Sequence, residues 1–445
     1  MPRRKIDKSI GFRVLRKTSH LSNKVLKKTS HFLDRVENKT TKLIISQTGS
    51  PTGTSSLPFT NAFYGVYPYL TPIHPALPNL NQKPSVTVFV PSLTPRGFYG
   101  GIATLLRASA ALALKMGYDY RVVQTSGFDK NTSFVLDFLK DDGLEIPKER
   151  FSTIDVSFRN PGQFAYIPLH PDDIVFVSAW WDAYNASRLP LKKKFVYLIQ
   201  DYEPIFYNNS DSSVLAHETY TSEKFIPLCN TEVLYNFFSN KGYDYIKENG
   251  TFFEPAVGKT RSKKLAAKEP TIKKMFLYGR PEVHRNLFFS ALHAIDIALS
   301  DPRMKDQQWE IYSAGQDDVP NMKLSTGHVV KNLGKMNLKA YYSFAETIDL
   351  AVSPMLAPHP NYPTLEFASL GSAVVSTRYE NKVSLDNYSK NIFMAEPDAV
   401  SMAENIIQAA QLSIKQRDTN MHADKIGDDW KEAFNKPLAK LIEKF

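Results

Sequence analysis

The sequence predicts an α/β protein of two domains, and three observations support this prediction. The chain has 445 residues, which is more than one ordinary hydrophobic core accommodates. From residue 85 onward, short apolar segments alternate with longer segments of helical pattern, as parallel strands joined by helices do. A charged segment with neither pattern, KTRSKKLAAKEP at residues 259–270, divides this alternation in two. We therefore expect two parallel sheets, each with helices on both faces.

The composition excludes several classes of protein. No apolar run approaches the roughly 18–20 residues of a transmembrane helix, and no secretory signal is recognisable near the start. The single cysteine, Cys229, excludes an internal disulfide, and no cluster of Cys and His predicts a metal site. We therefore expect a cytoplasmic protein that needs neither a metal nor a cofactor.

The net charge of +10 is concentrated in an N-terminal arm, residues 1–45. The arm holds 13 Lys or Arg and three acidic residues, so the remaining 400 residues are neutral as a whole. Its apolar residues recur at helical spacing from Val14 to Val36, with cations on the other faces. A basic amphipathic helix of this kind is typical of binding to an anionic membrane surface, where each cation contributes about 1 kcal/mol. The alternatives are a nucleic-acid-binding arm and a helix that dimerises or packs on its own body.

The segment that follows, residues 46–84, is rich in Ser, Thr, Pro, Gly and Asn and contains scattered aromatic residues. No periodic pattern predicts a helix or a strand there. We expect an extended linker whose aromatic side chains pack on the body of the protein.

The first predicted domain, residues 85–260, opens with the strand SVTVFVPSL, a glycine-rich loop and a long helix. Gly97, Gly100 and Gly101 let the backbone turn tightly and approach a ligand closely, although their spacing is not that of a dinucleotide-binding fingerprint. Thr231 is the predicted cap of a later helix. Further strands are predicted at 121–125, 173–178, 195–199 and 225–229.

Two of these strands end in dense groups of aromatic and acidic residues. The first group is Trp180, Trp181, Asp182 and Tyr184, and the second is Asp201, Tyr202 and Glu203. Sugar rings have apolar faces and polar rims, so aromatic rings beside carboxylates suit them. The carboxyl ends of parallel strands are also where such sheets bind ligands. We predict that these residues bind a carbohydrate; the alternative is that the tryptophans belong to the core and the acids to solvated loops.

The second predicted domain, residues 271–429, opens with the strand and turn KKMFLYGR. Arg280 ends this strand, and Arg285 lies at the start of the following helix. Two guanidinium groups there would suit a diphosphate, because arginine binds phosphate oxygens bidentately. The later elements are predicted strands at 309–314 and 328–333, a helix at 338–344, and a last helix at 430–445 that is expected to cross back to the first domain.

The most distinctive segment is AVSPMLAPHPNYPTLEFASLG, residues 351–371. Its pattern predicts a strand that ends at Val352, a loop with four prolines, a helix from Thr364 and another strand at 373–377. A loop between the carboxyl end of a strand and the amino end of a helix favours the binding of a phosphate, because free backbone N–H groups and the helix dipole lie there. Glu366, in the first turn of that helix, could accept hydrogen bonds from a ribose or could simply complement the helix dipole.

These motifs resemble those of the GT-B glycosyltransferases. The resemblance covers about residues 85–445 and is strongest at FLYGRPEVHRN, at the GK pair 334–335 and at SPMLAPHPNYPTLEFASLG; GFYGG and IQDYEP match more loosely. The chain is most similar to the retaining family of sucrose synthase-like and lipopolysaccharide-core enzymes, and within it to bacterial rhamnosyltransferases of rhamnose-containing surface glycans. The resemblance implies two Rossmann-like domains that face a cleft, with the acceptor domain first and the nucleotide-sugar donor domain second.

The resemblance also implies roles for individual residues. Arg280 and Arg285 match a basic pair that holds the donor diphosphate, and Glu366 matches a glutamate that binds the nucleotide ribose. The other residues implied to line the donor are Lys335, Tyr362, Pro363, Thr364, Gly100 and Gly101. The chain departs from the family at two points. Pro358 stands where a second glutamate contacts sugar hydroxyls, and Gln200-Asp201 stands where the first domain has a histidine.

We therefore predict a metal-independent glycosyltransferase. The resemblance favours a dTDP-sugar donor, with L-rhamnose as the first candidate, and a growing, lipid-linked glycan acceptor at the inner membrane leaflet. In a retaining front-face mechanism the leaving phosphate takes the acceptor proton; if a protein base exists, Asp201 is the candidate. The alternatives are a non-catalytic nucleotide- or sugar-binding protein on the same fold and a nucleic-acid-binding protein led by the arm. The neutral body disfavours the latter, so we expect no nucleic-acid partner.

Overall fold

A computed structural model gives the fold and describes residues 58–77, 80–93, 100–159, 164–257, 270–419 and 425–445. The predicted basic helix of residues 1–45 lies outside the described residues, as do Gly97 and most of the predicted joint between the domains. The described residues form two compact units. The small unit consists of residues 58–72 with Arg159 and Phe164, and the large unit consists of the rest.

The small unit contains a helix, α1 (Phe59–Val66), and a 3-10 turn (Pro68–Leu70). Arg159 is buried in it and donates hydrogen bonds to the backbone oxygens of Tyr69 and Thr71, at 3.2 and 2.9 Å. The expected linker over residues 46–84 therefore does contain regular structure. Its helix has only two turns, which is too short for a hydrophobic period to stand out in the sequence.

Seven strands of the described residues form the first sheet of the large unit, and all neighbours in this sheet are parallel. In spatial order they are β4 (Phe151–Asp155), β3 (Asp119–Gln124), β2 (Ser85–Val90), β6 (Ile174–Val177), β7 (Phe195–Ile199), β8 (Phe225–Asn230) and β9 (Thr251–Phe253). Strands β2, β6, β7 and β8 are buried along their whole length, which is why they are unbroken apolar runs in the sequence. A short parallel pair, β1 (Ile73–Ala76) and β5 (Ala165–Pro168), lies outside this sheet.

The second sheet also has seven strands over the part of the chain that the structure describes. In spatial order they are β12 (Met322–Lys323), β13 (Val329–Asn332), β11 (Gln308–Ala314), β10 (Ile272–Tyr278), β14 (Leu350–Val352), β15 (Ala373–Thr377) and β16 (Ile392–Ala395). The edge strand β12 is antiparallel to β13, and the other neighbours are parallel. The prediction of an α/β protein with two parallel sheets is confirmed.

Helices connect the strands of each sheet. Those of the first domain are α2 (Gly100–Met116), α3 (Ser133–Asp141), α4 (Trp180–Ala186), α5 (Asp211–Tyr220), α6 (Glu232–Asn240) and α7 (Asp244–Asn249). Those of the second domain are α8 (Phe288–Ser300), α9 (Leu338–Ala345), α10 (Tyr362–Ser369), α11 (Ala399–Ala410) and α12 (Ile414–Thr419), followed by the C-terminal helix α13 (Trp430–Ile442). The predicted cap of α6 is confirmed, because the side chain of Thr231 accepts a hydrogen bond from Leu234 N at 3.3 Å.

The C-terminal helix α13 packs on the first domain, although it follows the second domain in the chain. The rings of Phe434 and Phe253 lie 4.8 Å apart. The guanidinium of Arg107, on α2, lies 4.5 Å from the ring of Trp430. The end of the chain thereby joins the two domains a second time.

Helix α10 begins two residues earlier than its pattern predicts. It starts at Tyr362 rather than Thr364, so Glu366 lies in its second turn and not in its first. The reason is Pro363, which a helix tolerates in its first turn because the missing N–H has no partner there anyway. The helix ends at Ser369, before Gly371, whose φ of +82° suits the residue that follows a helix.

Each sheet has one point where the chain turns from one side to the other. In the first sheet this point lies between β2 and β6, and in the second it lies between β10 and β14. The loops that leave neighbouring strands at such a point diverge to opposite faces and open a crevice, where open α/β sheets bind ligands. The loops and first helical turns that follow β6, β7, β10 and β14 carry most of the predicted site residues.

Candidate functional site

Two arginines lie at the carboxyl edge of the second sheet, where the sequence predicts them. Arg280 follows closely after β10. Arg285 belongs to a 3-10 turn, His284–Asn286, and α8 begins only at Phe288, so the prediction that Arg285 starts the helix is wrong by three residues. The side chain of Arg280 lies against Gly315, because a Cβ atom at that glycine would come within 2.9 Å of Arg280 Cγ. Burial, with a smaller contribution from the charge of Arg280, lowers the pKa of Arg285. The two guanidinium groups are thus close enough to repel each other.

Arg285 also contacts the first domain. Its guanidinium lies 3.8 Å from the centre of the Phe206 ring, and its Nε lies 3.8 Å from Oδ2 of Asp201. Its backbone oxygen accepts a hydrogen bond of 2.8 Å from Leu356 N, in the loop between β14 and α10. One arginine therefore links the acidic end of β7, the loop after β10 and the loop after β14.

The loop between β14 and α10, residues 353–361 and here called the proline loop, is held from within. Lys382 is fully buried, and its Nζ donates to the backbone oxygens of Met355 and His359 at 3.1 and 3.3 Å. Asn361 Nδ2 donates to Ser353 Oγ at 2.8 Å. The hydroxyl of Thr364 donates to the oxygen of Ser353 at 3.3 Å, so this predicted donor-lining side chain stabilises the loop. Pro363 is half-buried in the first turn of α10.

Three carboxyl groups of the first domain, those of Asp182, Asp201 and Glu203, lie close to one another. Burial raises the pKa of Asp201 to about 6, although Arg285 opposes this shift. Burial likewise raises the pKa of Glu203 to about 8, and its neighbours Asp201 and Asp182 add to the effect. Oε2 of Glu203 accepts a hydrogen bond of 2.7 Å from Trp180 N. Near neutral pH, Asp201 is therefore mostly ionised and Glu203 mostly protonated.

The aromatic residues of the predicted acceptor site differ in exposure. Trp180 is fully buried, donates from Nε1 to Tyr207 OH at 2.8 Å and meets Trp181 edge to face. Trp181 is half-buried. The hydroxyl of Tyr202 lies 3.3 Å from Nδ1 of His217. Trp180 thus supports the site from beneath, while Trp181 and Tyr202 retain some exposure; acceptor binding by this group stays a prediction.

Tyr362 connects the two domains directly. Its hydroxyl accepts a hydrogen bond of 2.7 Å from Asn230 Nδ2, at the end of β8, and lies 2.8 Å from Thr104 Oγ1, on α2. Its ring lies beside Gly100, where a Cβ atom would be 3.7 Å away, and the φ of +43° at Gly100 starts α2. The oxygen of Gly101 accepts from Gln200 Nε2 at 2.9 Å. The start of α2, the end of β7 and the start of α10 therefore meet at one place in the cleft.

Glu366 and Lys335 lie farther along the same edge of the second sheet. The carboxylate of Glu366 accepts hydrogen bonds from the hydroxyls of Tyr341 and Tyr342, at 2.8 and 3.1 Å, and burial raises its pKa. Lys335 is exposed, and its backbone N donates to Asp317 Oδ1 at 2.8 Å. The structure therefore places the predicted ribose-binding carboxylate between two tyrosines, and it leaves the Lys335 side chain open to a ligand.

Three residues of this part of the molecule escaped the sequence analysis: His359 and Phe206, which lie near Arg285, and Lys382, which bonds the backbone of His359. His359 lies in the motif that was singled out, but a histidine between two prolines gave no chemical signal by itself. Lys382 follows β15 by five residues, and its position after a strand end was the available signal. Within the described residues, no three His, Cys, Asp or Glu side chains are grouped as metal ligands would be. No helix there has the length and apolarity needed to cross a bilayer.

Two parallel sheets that face each other across a cleft, with a C-terminal helix that returns to the first domain, constitute the GT-B fold. Comparison with known families adds to this. Residues 85–232 match the model "WsaF, N-terminal domain", and residues 273–407 match the model "WsaF, C-terminal domain". The two domains occur in the family's order and together span more than half of the chain, so the chain belongs to the WsaF family.

Among curated proteins, the chain is similar to "O-antigen biosynthesis protein RfbC" of Myxococcus xanthus. The two are 29% identical over 240 residues, which is 54% of this chain but only 18% of the relative's length. Three solved structures share the fold at low identity. The chain matches WaaG, "a glycosyltransferase involved in lipopolysaccharide biosynthesis", at 14% identity over 79% of this chain and 99% of that chain, with a TM-score of 0.51.

The other two structures both give a TM-score of 0.54. One is an α,α-trehalose-phosphate synthase (UDP-forming) from Burkholderia vietnamiensis, with 11% identity over 80% of this chain and 97% of that chain. The other is from E. coli, described as trehalose-6-phosphate bound with UDP-2-fluoro glucose, with 12% identity over 80% of this chain and 98% of that chain. At these identities the likeness shows the fold.

Proposed function

We propose that the chain is a glycosyltransferase that moves a sugar from a nucleoside diphosphate onto a surface glycan of the O-antigen type. The observation that carries this proposal is that a cationic edge of the second sheet and an acidic edge of the first sheet face each other across the cleft. Arg280 and Arg285 lie at the switch point of the second sheet, and the carboxyl group of Asp201 faces them from the first sheet. Membership of the WsaF family and the similarity to an O-antigen biosynthesis protein support the same reaction class.

The chemistry follows from where charge develops. When the sugar leaves its nucleotide, negative charge grows on the diphosphate, and fixed cations beside it stabilise the transition state. Arg280 and Arg285 supply that charge, and the N-terminus of α10 adds free N–H groups. Burial raises the pKa of Asp201 to about 6, so the carboxyl group is ionised at neutral pH. Its pKa is also close to neutral pH, as suits a general base. In a retaining front-face reaction, the leaving phosphate can take the acceptor proton instead.

The donor we favour is a dTDP-sugar, with L-rhamnose as the first candidate, and this rests on the resemblance of the motifs. Glu366 is the proposed ribose contact, and Lys335 is the proposed contact beside the nucleotide. The acceptor we favour is a lipid-linked glycan, bound near Trp181, Asp182 and Tyr202. Attachment to the inner leaflet through residues 1–45 and a reaction without a metal belong to the same proposal.

Isothermal titration with dTDP, UDP and GDP tests the donor site. We expect micromolar binding of one of these diphosphates, and at least a tenfold loss of affinity in Arg280→Ala, because a charge-assisted contact to phosphate is removed. Arg303→Ala is the matched control, since Arg303 is an exposed arginine paired with Asp301 and Glu404 outside the site. No heat with any of the three diphosphates would contradict the proposal. Binding without formation of a glycosylated product would favour a non-catalytic binding protein.

A further inference from the structure

Two buried nitrogen atoms at the carboxyl edge of the second sheet lack a hydrogen-bond partner among the described residues. They are Nε of Arg285 and Nε2 of His359. His359 is only 6% exposed and lies in the proline loop, with its ring edge to face against Tyr362. Native proteins seldom leave a buried donor unsatisfied, so two in one place indicate an acceptor that the protein itself does not provide.

The proton of His359 can be assigned from its backbone neighbour. Nδ1 accepts a hydrogen bond of 3.0 Å from the backbone N–H of Asn361. Nδ1 must therefore hold a lone pair, which leaves the proton of the neutral ring on Nε2. Burial, with the charges of Lys382 and Arg285, lowers the pKa of His359 to about 3, so the ring stays neutral at physiological pH. His359 is thus a fixed, uncharged donor.

The two unpaired donors belong to loops that are tied together. The backbone oxygen of Arg285 accepts from Leu356 N at 2.8 Å, which joins the loop after β10 to the proline loop. Lys382 holds the backbone oxygen of His359 from the interior. The carboxylate of Asp201 faces Arg285 from the first domain, but its Oδ2 lies 3.8 Å from Arg285 Nε, beyond hydrogen-bond distance. Arg285 and His359 therefore each present an unpaired N–H group at the carboxyl edge of the second sheet, and an oxyanion is the kind of ligand that can accept from both.

We propose that His359 is a donor-binding residue, whose Nε2–H donates to a diphosphate oxygen of the nucleotide beside the Nε–H of Arg285. This inference rests on the proposed function and adds to it a residue that the motif comparison did not supply. The neutral imidazole contributes a directional hydrogen bond but no charge. It therefore adds a hydrogen bond to the site without adding a charge that Arg285 and Lys382 would repel.

Two substitutions separate the Nε2 donor from the rest of the side chain. In His359→Gln an amide N–H can stand near the position of Nε2, whereas His359→Leu has no donor. We expect titration with the nucleoside diphosphate that the wild type binds to show at least a tenfold loss of affinity in His359→Leu and a loss of less than about threefold in His359→Gln. The difference between the variants should shrink for the bare nucleoside, which lacks the phosphates, and should stay constant from pH 6 to 8.

The outcomes distinguish this inference from the proposed function. If His359→Leu binds like the wild type while Arg280→Ala does not, the role of His359 is wrong and the donor site stands. If the wild type binds no diphosphate, the proposed function fails first. If neither His359 variant folds, imidazole ¹⁵N spectra of the wild type decide. We expect a neutral ring protonated at Nε2 whose Nε2 resonance shifts on addition of the diphosphate, and an unmoved resonance would overturn the inference.

Discussion

Both sheets have seven strands over the described residues, and in both the strand order switches sides next to the strand that comes first in the chain, β2 or β10. Their carboxyl edges nevertheless differ in chemistry. The edge of the first sheet carries carboxyl groups, and burial raises the pKa of Asp201 and Glu203. The edge of the second carries cations, and burial lowers the pKa of Arg285 and Lys382. Burial thus favours the uncharged form on both sides, and opposite charge across the cleft resists this. The comparison teaches that the fold provides two equivalent crevices, and that side-chain charge decides which one suits an anion.

The largest effect is expected from removing the charge of Asp201. In Asp201→Asn, turnover should fall by about 10²-fold or more if the carboxylate is the base. Binding of the diphosphate should become stronger, because a negative charge 3.8 Å from Arg285 Nε is gone. Steady-state kinetics and titration on the same preparation check both effects. Unchanged turnover together with tighter binding would assign the acceptor proton to the leaving phosphate and leave Asp201 an electrostatic role.

A smaller effect is expected at Glu254, another carboxyl group of the first domain that contacts the second. Its carboxylate accepts from Tyr388 OH at 2.8 Å and from Glu232 N at 3.0 Å, and burial raises its pKa to about 7. Because the pKa is raised on folding, the stability that this group contributes is present below pH 4.5 and is lost as the pH rises to about 7. Relative to Glu254→Gln, the wild type should therefore lose about 1–3 kcal/mol of unfolding free energy between pH 4.5 and 8.

Chemical unfolding of both proteins across that pH range makes the comparison. Glu254→Gln serves as the reference for the wild type, because the two proteins share all other titrating groups. Parallel stability curves would mean that Glu254 is more solvated than its contacts indicate, and would contradict the prediction.

The smallest effect is expected at Tyr362, whose uncharged hydroxyl links the second domain to Asn230 and Thr104 of the first. Tyr362→Phe removes the hydroxyl that accepts from Asn230 Nδ2 and contacts Thr104 Oγ1, so stability should fall by about 1–2 kcal/mol. Tyr342→Phe is the matched control, since its hydroxyl bonds Glu366, which belongs to the same domain. Thermal unfolding measures the loss. An increased radius of gyration in Tyr362→Phe, but not in Tyr342→Phe, would show that the hydroxyl holds the cleft together.

Much of the fold could be predicted because buried parallel strands are continuous apolar runs; β7 and β15 were predicted at their observed bounds. Arg280 and Arg285 could be placed because both follow such a run closely. His359 and Lys382 could not, because their burial and their contact through the proline loop depend on tertiary packing between segments about 23 residues apart. The same holds for Trp180. A tryptophan at a strand end can point into the core or out of it, and only packing against Tyr207 decides this.

The fixed conformation of the proline loop has a further consequence, which concerns the entropy of ligand binding. Pro354, Pro358 and Pro360 are buried, their φ angles are fixed, and Lys382 and Asn361 hold the remaining backbone. Such a loop has little conformational entropy left to lose when a ligand arrives and little to regain when it departs. In the proposed function, a nucleotide would therefore bind to this loop and leave it again without any refolding of the loop.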